Sequence, residues 1–148
     1  MIAIASDHAG YQLKSGLIEY FKAKKLAYRD LGTNSLDSVD YPDFGFKLGK
    51  EVSSGNYEFG IAICGTGIGI SISANKVKGI RAALIYDENT AKLAKEHNNA
   101  NIIAFGGRTT KLEDAIRYFE VFKNTEYQLR HQKRIDKITL FEEKKCQH

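Results

Sequence analysis

The residue types best suited to chemistry gather in one stretch, FGIAICGTGIGISISAN, from Phe59 to Asn75. An apolar run, Phe59 to Ile63, ends at Cys64, and Gly65, Thr66, Gly67, Ile68 and Gly69 follow. This order reads as a buried strand, a glycine-rich turn and the start of a helix. Alternating glycines let the backbone approach another group closely and aim several amide N–H groups the same way. Such a nest at a helix start is a cradle for an anion or an oxyanion. Cys64 stands where the strand hands over to the nest, at the positive end of a helix, a setting in which cysteines serve as bases or nucleophiles. A lone cysteine in an apolar run is more often an inert core residue. The glycine run after it favours the catalytic reading.

Other polar residues fall where they can join this segment. Asp7 and His8 follow a short apolar run, His97 and Asn98 end a helical pattern, and Arg108 follows another apolar run. The densest basic cluster is Arg130, His131, Lys133, Arg134 and Lys137. Arg130 and Arg134 are four apart, a spacing that puts them on one helix face where they could grip a single phosphate. Bland readings exist for each: His8 and His97 as surface histidines, the basic cluster as a solvated helix face.

The elements that must position these groups alternate along the chain. Ile2–Ala5 reads as a first strand and Leu26–Leu31 as a second. Phe59–Ile63 is the third, Ile80–Tyr86 the fourth and Asn101–Phe105 the fifth. Between them, helical spacing puts Leu13, Leu17, Ile18 and Phe21 on a buried face, with Lys14, Glu19, Lys22 and Lys24 opposite. Asp43–Ser53 and the stretch up to Asn75 read as further helices. Asp87 caps the next, which runs through Leu93 to His97. Thr110, with Glu113 three residues on, has capping-box spacing, and Leu112, Ala115, Ile116, Phe119 and Phe122 form the buried face behind it. A last helix from about Glu126 carries Leu129, Ile135 and Ile138, and the tail FEEKKCQH reads as fraying. Continuous apolar strands alternating with helices imply a three-layer α/β/α sandwich, Rossmann-like, with a five-stranded parallel sheet and an extra C-terminal helix. In such folds ligands bind beyond the carboxyl ends of the strands, where Asp7, His8, Cys64–Gly69, Asp87 and Arg108 fall.

Composition sets limits. The 148 residues, 43% hydrophobic and 27% charged, suit one domain spanning residues 1–148 with its own core. No apolar run is long enough to span a membrane, and MIAIASDHAG reads as a strand rather than a signal peptide. The two cysteines, Cys64 and Cys146, make no disulfide framework, so a cytoplasmic setting is expected. A net charge of +4 suits an anionic small substrate and is too mild to argue for nucleic acid. No metal is expected, since neither H-E-x-x-H nor paired-cysteine spacing occurs. A dinucleotide module would need G-x-G-x-x-G, but Ile70 or Ile72 stands where the third glycine belongs.

Together these residues closely resemble the B-type ribose-5-phosphate isomerases of the ribose/galactose isomerase family. The likeness is carried by SDHAG (Ser6–Gly10), DYP (Asp40–Pro42), ICGTGIGISISANK (Ile63–Lys76), GIRAAL (Gly79–Leu84), EHNNANIIAFGGR (Glu96–Arg108) and RHQKR (Arg130–Arg134). It implies reversible isomerisation of D-ribose 5-phosphate and D-ribulose 5-phosphate through an enediolate, without metal or organic cofactor. Under it Cys64 is the base and His97 the ring-opening acid. Backbone N–H groups of Gly65, Thr66, Gly67, Ile68 and Gly69, with the Thr66 hydroxyl, cradle the oxyanion. His8, Arg130 and Arg134 hold the phosphate with Arg108 nearby, and Asp7 and Asn98 bind sugar hydroxyls, Asp7 also relaying protons. The resemblance further implies a homodimer with the site between subunits, a tetramer being open. The alternatives are a six-carbon substrate such as allose 6-phosphate and, from a different class, a nucleotide-binding module.

Overall fold

The computed structural model describes residues 1–146. Its centre is a five-stranded, all-parallel sheet in the order β2-β1-β3-β5-β4, built from β1 (Ile2–Ser6), β2 (Tyr28–Asp30), β3 (Phe59–Cys64), β4 (Ala82–Leu84) and β5 (Ile102–Gly106). The central strands β1, β3 and β5 are buried along their whole length, so both faces need cover. Helices supply it: α1 (Tyr11–Ala23), α4 (Glu88–Glu96) and α5 (Leu112–Lys123) on one face, α2 (Tyr41–Ser53) and α3 (Ile68–Asn75) on the other. The expected sandwich is present, with α6 (Gln132–Cys146) as the additional C-terminal helix.

Strand alternation divides the core into two unlike halves. Ile2, Ile4, Ile61, Ile63, Ile103 and Phe105 meet Leu17, Phe21, Phe119 and Phe122, a core of large side chains. The opposite face presents Ala3, Ala5, Ala62, Cys64 and Ala104 to Leu48, Ile70 and Ala74. Small residues there let α2 and α3 pack closely. A Cβ added at Gly45 would lie 2.7 Å from the Ser73 Cβ, and one at Gly49 2.7 Å from Val77 Cγ2. Cys64 continues the small-residue row, so its side chain points toward α3 rather than α1.

Several expectations need correction. Lys14, assigned to the outer face of α1, is 1% exposed, its Nζ 2.6 Å from Asp30 Oδ1. The long aliphatic stem fills a core-facing position, and the ammonium escapes along it to a carboxylate on the edge strand. Thr110 does not cap α5; Lys111 is the N-cap and makes no side-chain capping bond. Leu112, placed on the buried face, is exposed, and Tyr118 takes the buried position. The edge strands β2 and β4 are shorter than their apolar runs. The last helix begins at Gln132, after a 3-10 turn at Leu129–His131, and Leu129 and Ile138 are exposed. The tail expected to fray is helical to Cys146; Gln147 and His148 lie outside the described residues.

Candidate active site

The site lies where the sheet order reverses. Strands β1 and β3 are neighbours, and their following loops leave in opposite directions, opening a crevice at the carboxyl edge. A cleft of about 390 Å³ sits there, lined by Asp7, Tyr41, Cys64, Gly65, Thr66, Ile68, Gly69 and Arg108.

Each wall has a local cause. Gly67 adopts φ +79° at the N-cap of α3, and this left-handed turn swings its amide back onto the thiol, N to Sγ 3.2 Å. The next amide, Ile68 N–H, donates to Thr66 Oγ1 at 3.2 Å. Thr66 Oγ1 thus acts as acceptor in the turn and keeps its own proton to donate. Two nest amides that the sequence pointed at an oxyanion are therefore engaged locally. Gly69 stands in the first turn of α3, where no intrahelical carbonyl reaches the N–H groups. Gly69 also makes room for Tyr41, since a Cβ there would overlap the phenol ring.

Asp7 is buried, at 6% exposure, and is tied twice: its N–H donates to the Ile63 carbonyl at 3.1 Å, and its Oδ1 accepts from Gly10 N–H at 3.1 Å. The loop after β5 folds over the nest. Gly107 N–H donates to the Cys64 carbonyl at 2.7 Å and Arg108 N–H to the Gly65 carbonyl at 3.0 Å. These bonds bring the Arg108 guanidinium over Gly65, whose added Cβ would lie 3.2 Å from Nη1. His8 opens the 3-10 turn beside Asp7, and its Nδ1 accepts from Val39 N–H at 3.2 Å. The ring's remaining nitrogen is left for another partner.

The structure does not bring the other proposed site residues to this cleft. His97 and Asn98 follow α4 and precede β5, so they lie at the amino edge of the sheet. Ile102 pairs with Gly60 and Gly106 with Cys64, four steps apart, which is roughly 13 Å of strand. Arg81, just before β4, holds this corner by donating to the carbonyls of Asn98 (3.0 Å) and Asn99 (2.7 Å). The Arg130–Arg134 segment is tethered to the same edge, Gln128 N–H donating to the Glu96 carbonyl at 3.0 Å. Arg130 and Arg134 do not share a helix face, because Arg130 lies in the 3-10 turn and Arg134 in α6. Arg130 Nε donates to Gln128 Oε1 at 2.8 Å, and Arg134 Nη1 lies 2.9 Å from His131 Nδ1.

Sequence reasoning left Tyr41 out of the site, although the DYP segment was noted. Helical spacing alone carries no sign that α2 begins at Tyr41, where its ring faces the nest. Asp87, at the end of β4, is occupied as a helix cap: its Oδ1 accepts from Thr90 N–H at 2.6 Å in a capping box. Among the described residues no cluster of three or more His, Cys, Asp or Glu side chains could hold a metal ion, and no helix is long and apolar enough to cross a membrane.

The sequence model described as Ribose/Galactose Isomerase matches residues 2–138. Ribose-5-phosphate isomerase B of Escherichia coli K12 is 37% identical over 145 residues, covering 97% of each chain. The structure of Clostridium thermocellum ribose-5-phosphate isomerase B superposes with a TM-score of 0.93 at 45% identity, covering 97% of both chains. That of the Mycoplasma genitalium enzyme with bound ribulose-5-phosphate does so with a TM-score of 0.91 at 43% identity, covering 96% of this chain and 95% of the other.

Proposed function

The chain belongs to the ribose/galactose isomerase family, and from that premise we propose that it interconverts D-ribose 5-phosphate and D-ribulose 5-phosphate. The observation that carries the reading is the carboxyl-edge cleft, where one thiol, one buried carboxylate, a helix N-terminus and a guanidinium converge. Those groups fit an aldose–ketose isomerisation. The Cys64 thiolate removes the C2 proton of the open-chain aldose; the C–H electron pair forms the C1=C2 double bond and the carbonyl π pair moves onto O1, giving an enediolate. The Gly69 end of the nest and the Thr66 hydroxyl face the developing oxyanion; losing one such donor typically costs about 3 kcal/mol. Asp7 moves the proton between O1 and O2, and the thiol returns its proton to C1, completing the ketose. Arg108 and His8 reach toward the phosphate.

His97, Asn98, Arg130 and Arg134 take part through a second copy of the chain. Lying at the opposite edge of the sheet, they supply the ring-opening acid and the remaining phosphate contacts to a partner's cleft, so a homodimer is the working unit. A catalytic thiol suits the cytoplasm, where it stays reduced.

The test is coupled isomerase activity on ribose 5-phosphate in EDTA, with allose 6-phosphate as comparator, for wild type and Cys64→Ala. Turnover of the pentose phosphate that falls by orders of magnitude in a folded variant supports the reading; equal activity in both removes Cys64 as the base. The shared site has its own test. Cys64→Ala mixed with His97→Asn should recover about a quarter of wild-type activity, because half of the dimers are mixed and each holds one intact site. No recovery on mixing refutes the shared site.

A further inference from the structure

His131 has no role in the chemistry above, yet its surroundings are specific. It closes the 3-10 turn ahead of α6 and is 6% exposed. Its Nδ1 lies 2.9 Å from Arg134 Nη1. A guanidinium only donates, so Nδ1 is the acceptor and the proton of the neutral ring sits on Nε2. That Nε2 is buried with no hydrogen-bond partner among the described residues. The face of the ring lies against His97, with centroids 4.4 Å apart and planes at 36°.

The charged groups around it come from its own 3-10 turn, from α6 and from the end of α4. Arg130 and Arg134 belong to its own segment, and His97 and Glu96 to the end of α4. Burial, then the nearby positive charges, hold His131 below the ordinary histidine range, while Glu96 opposes them. The ring is thus a neutral plate under His97. His97 itself is a helix C-cap with a side chain 36% exposed, and its other polar neighbour is Glu96 Oε1 at 3.5 Å.

We propose that His131 is a positioning residue with two contacts: its ring face holds the His97 imidazole in the pose for the ring-opening proton transfer, and its Nδ1 holds Arg134 for the phosphate. This rests on the isomerase reading above. The two contacts separate in mutants. His131→Phe keeps a flat ring against His97 but removes the acceptor for Arg134; His131→Ala removes both.

The separating experiment compares a cyclic substrate with an acyclic one. Ribose 5-phosphate must open its ring before the C2 proton moves. Ribulose 5-phosphate, with O5 esterified, is open-chain, and exchange of its C1 proton with deuterium oxide needs the base but no ring opening. Both variants should raise KM for both substrates severalfold. His131→Ala should lower kcat on ribose 5-phosphate by at least ~10-fold, since a misplacement of about 1 Å costs up to ~10²-fold, while saturated deuterium exchange stays at the wild-type rate. His131→Phe should keep kcat on both. A parallel loss of kcat and exchange, or an unchanged kcat in His131→Ala, overturns the proposal. Should His131→Ala not fold, His131→Phe decides alone: a raised KM at retained kcat supports the assignment, and an unchanged KM overturns it. Wild type that neither turns over nor exchanges these substrates overturns the isomerase reading itself, a separate result.

Discussion

Gly67 joins the stability of the nest to its chemistry, and Gly67→Ala tests that link. Its φ of +79° lies in the left-handed region, which costs an alanine about 1–2 kcal/mol. The new Cβ would also stand 2.7 Å from Leu84 Cδ1 and 2.9 and 3.0 Å from the carbonyl carbon and oxygen of Phe105. Leu84 can rotate away, but Phe105 is backbone in the central strand β5 and cannot, so overpacking adds about 1–3 kcal/mol. The sum is about 2–5 kcal/mol, on the order of 10 °C in melting temperature for a chain of this size. The turn relieves the clash by moving away from β5, which carries the amide off the Cys64 sulfur. Activity should then fall by ~10²-fold, the usual penalty for a displacement of about 1 Å. Gly55 is the control: its φ is +85° but, among the described residues, nothing lies within 4 Å of an added Cβ. Gly55→Ala should cost only the backbone term of about 1–2 kcal/mol and leave kcat unchanged. The assays are thermal unfolding by circular dichroism and coupled turnover of ribose 5-phosphate. A Gly67→Ala protein that melts with Gly55→Ala and keeps wild-type kcat refutes the reasoning.

Three further outcomes follow from contacts away from the cleft. Lys14 is buried whereas its partner Asp30 is partly solvated, so Asp30→Ala, which strands the ammonium, should cost about 3 kcal/mol and Lys14→Met distinctly less, as urea midpoints will show. Tyr20 donates to Glu120 Oε1 at 2.5 Å, and burial followed by that bond pushes its phenol from 10.0 up to about 12. A raised phenol favours the neutral form in the fold, so its contribution is full below the unfolded value and disappears as pH rises through that interval; the alkaline fall in urea midpoint should be shallower in Tyr20→Phe. Asp87→Ala removes the α4 capping box and should lower stability by about 1 kcal/mol with no change in kcat, measured by the same two assays.

Much of this protein was legible in its sequence because the informative features are local. The apolar runs of β1, β3 and β5 mark strands buried on both faces. The Cys64–Gly69 segment announces a strand, a nest and a helix in order, since glycine takes the left-handed turn at Gly67 without the steric cost other residues meet. Asp87 and its helix were likewise readable, being one turn of chain. Periodicity misled wherever a side chain's fate depended on a distant element. Lys14 is buried because Asp30, sixteen residues away, waits at the edge of the sheet. Leu129 and Ile138, read as parts of one buried helix face, lie in a 3-10 turn and in α6 and are exposed.

Which of the candidate groups line the carboxyl-edge cleft was decided by tertiary structure. Nothing in SDHAG or GTGIG says that β1 and β3 are neighbours; the order β2-β1-β3-β5-β4 does, and it places Asp7 beside Cys64 at one edge. The same parallel winding returns each helix that follows a strand toward the opposite edge, carrying His97, Asn98 and the Arg130–Arg134 segment away from that cleft. Residue type and spacing determined which groups could do chemistry, because these are properties of neighbours in the chain. Which of them meet depended on how the strands pair, since pairing joins residues that no local spacing relates.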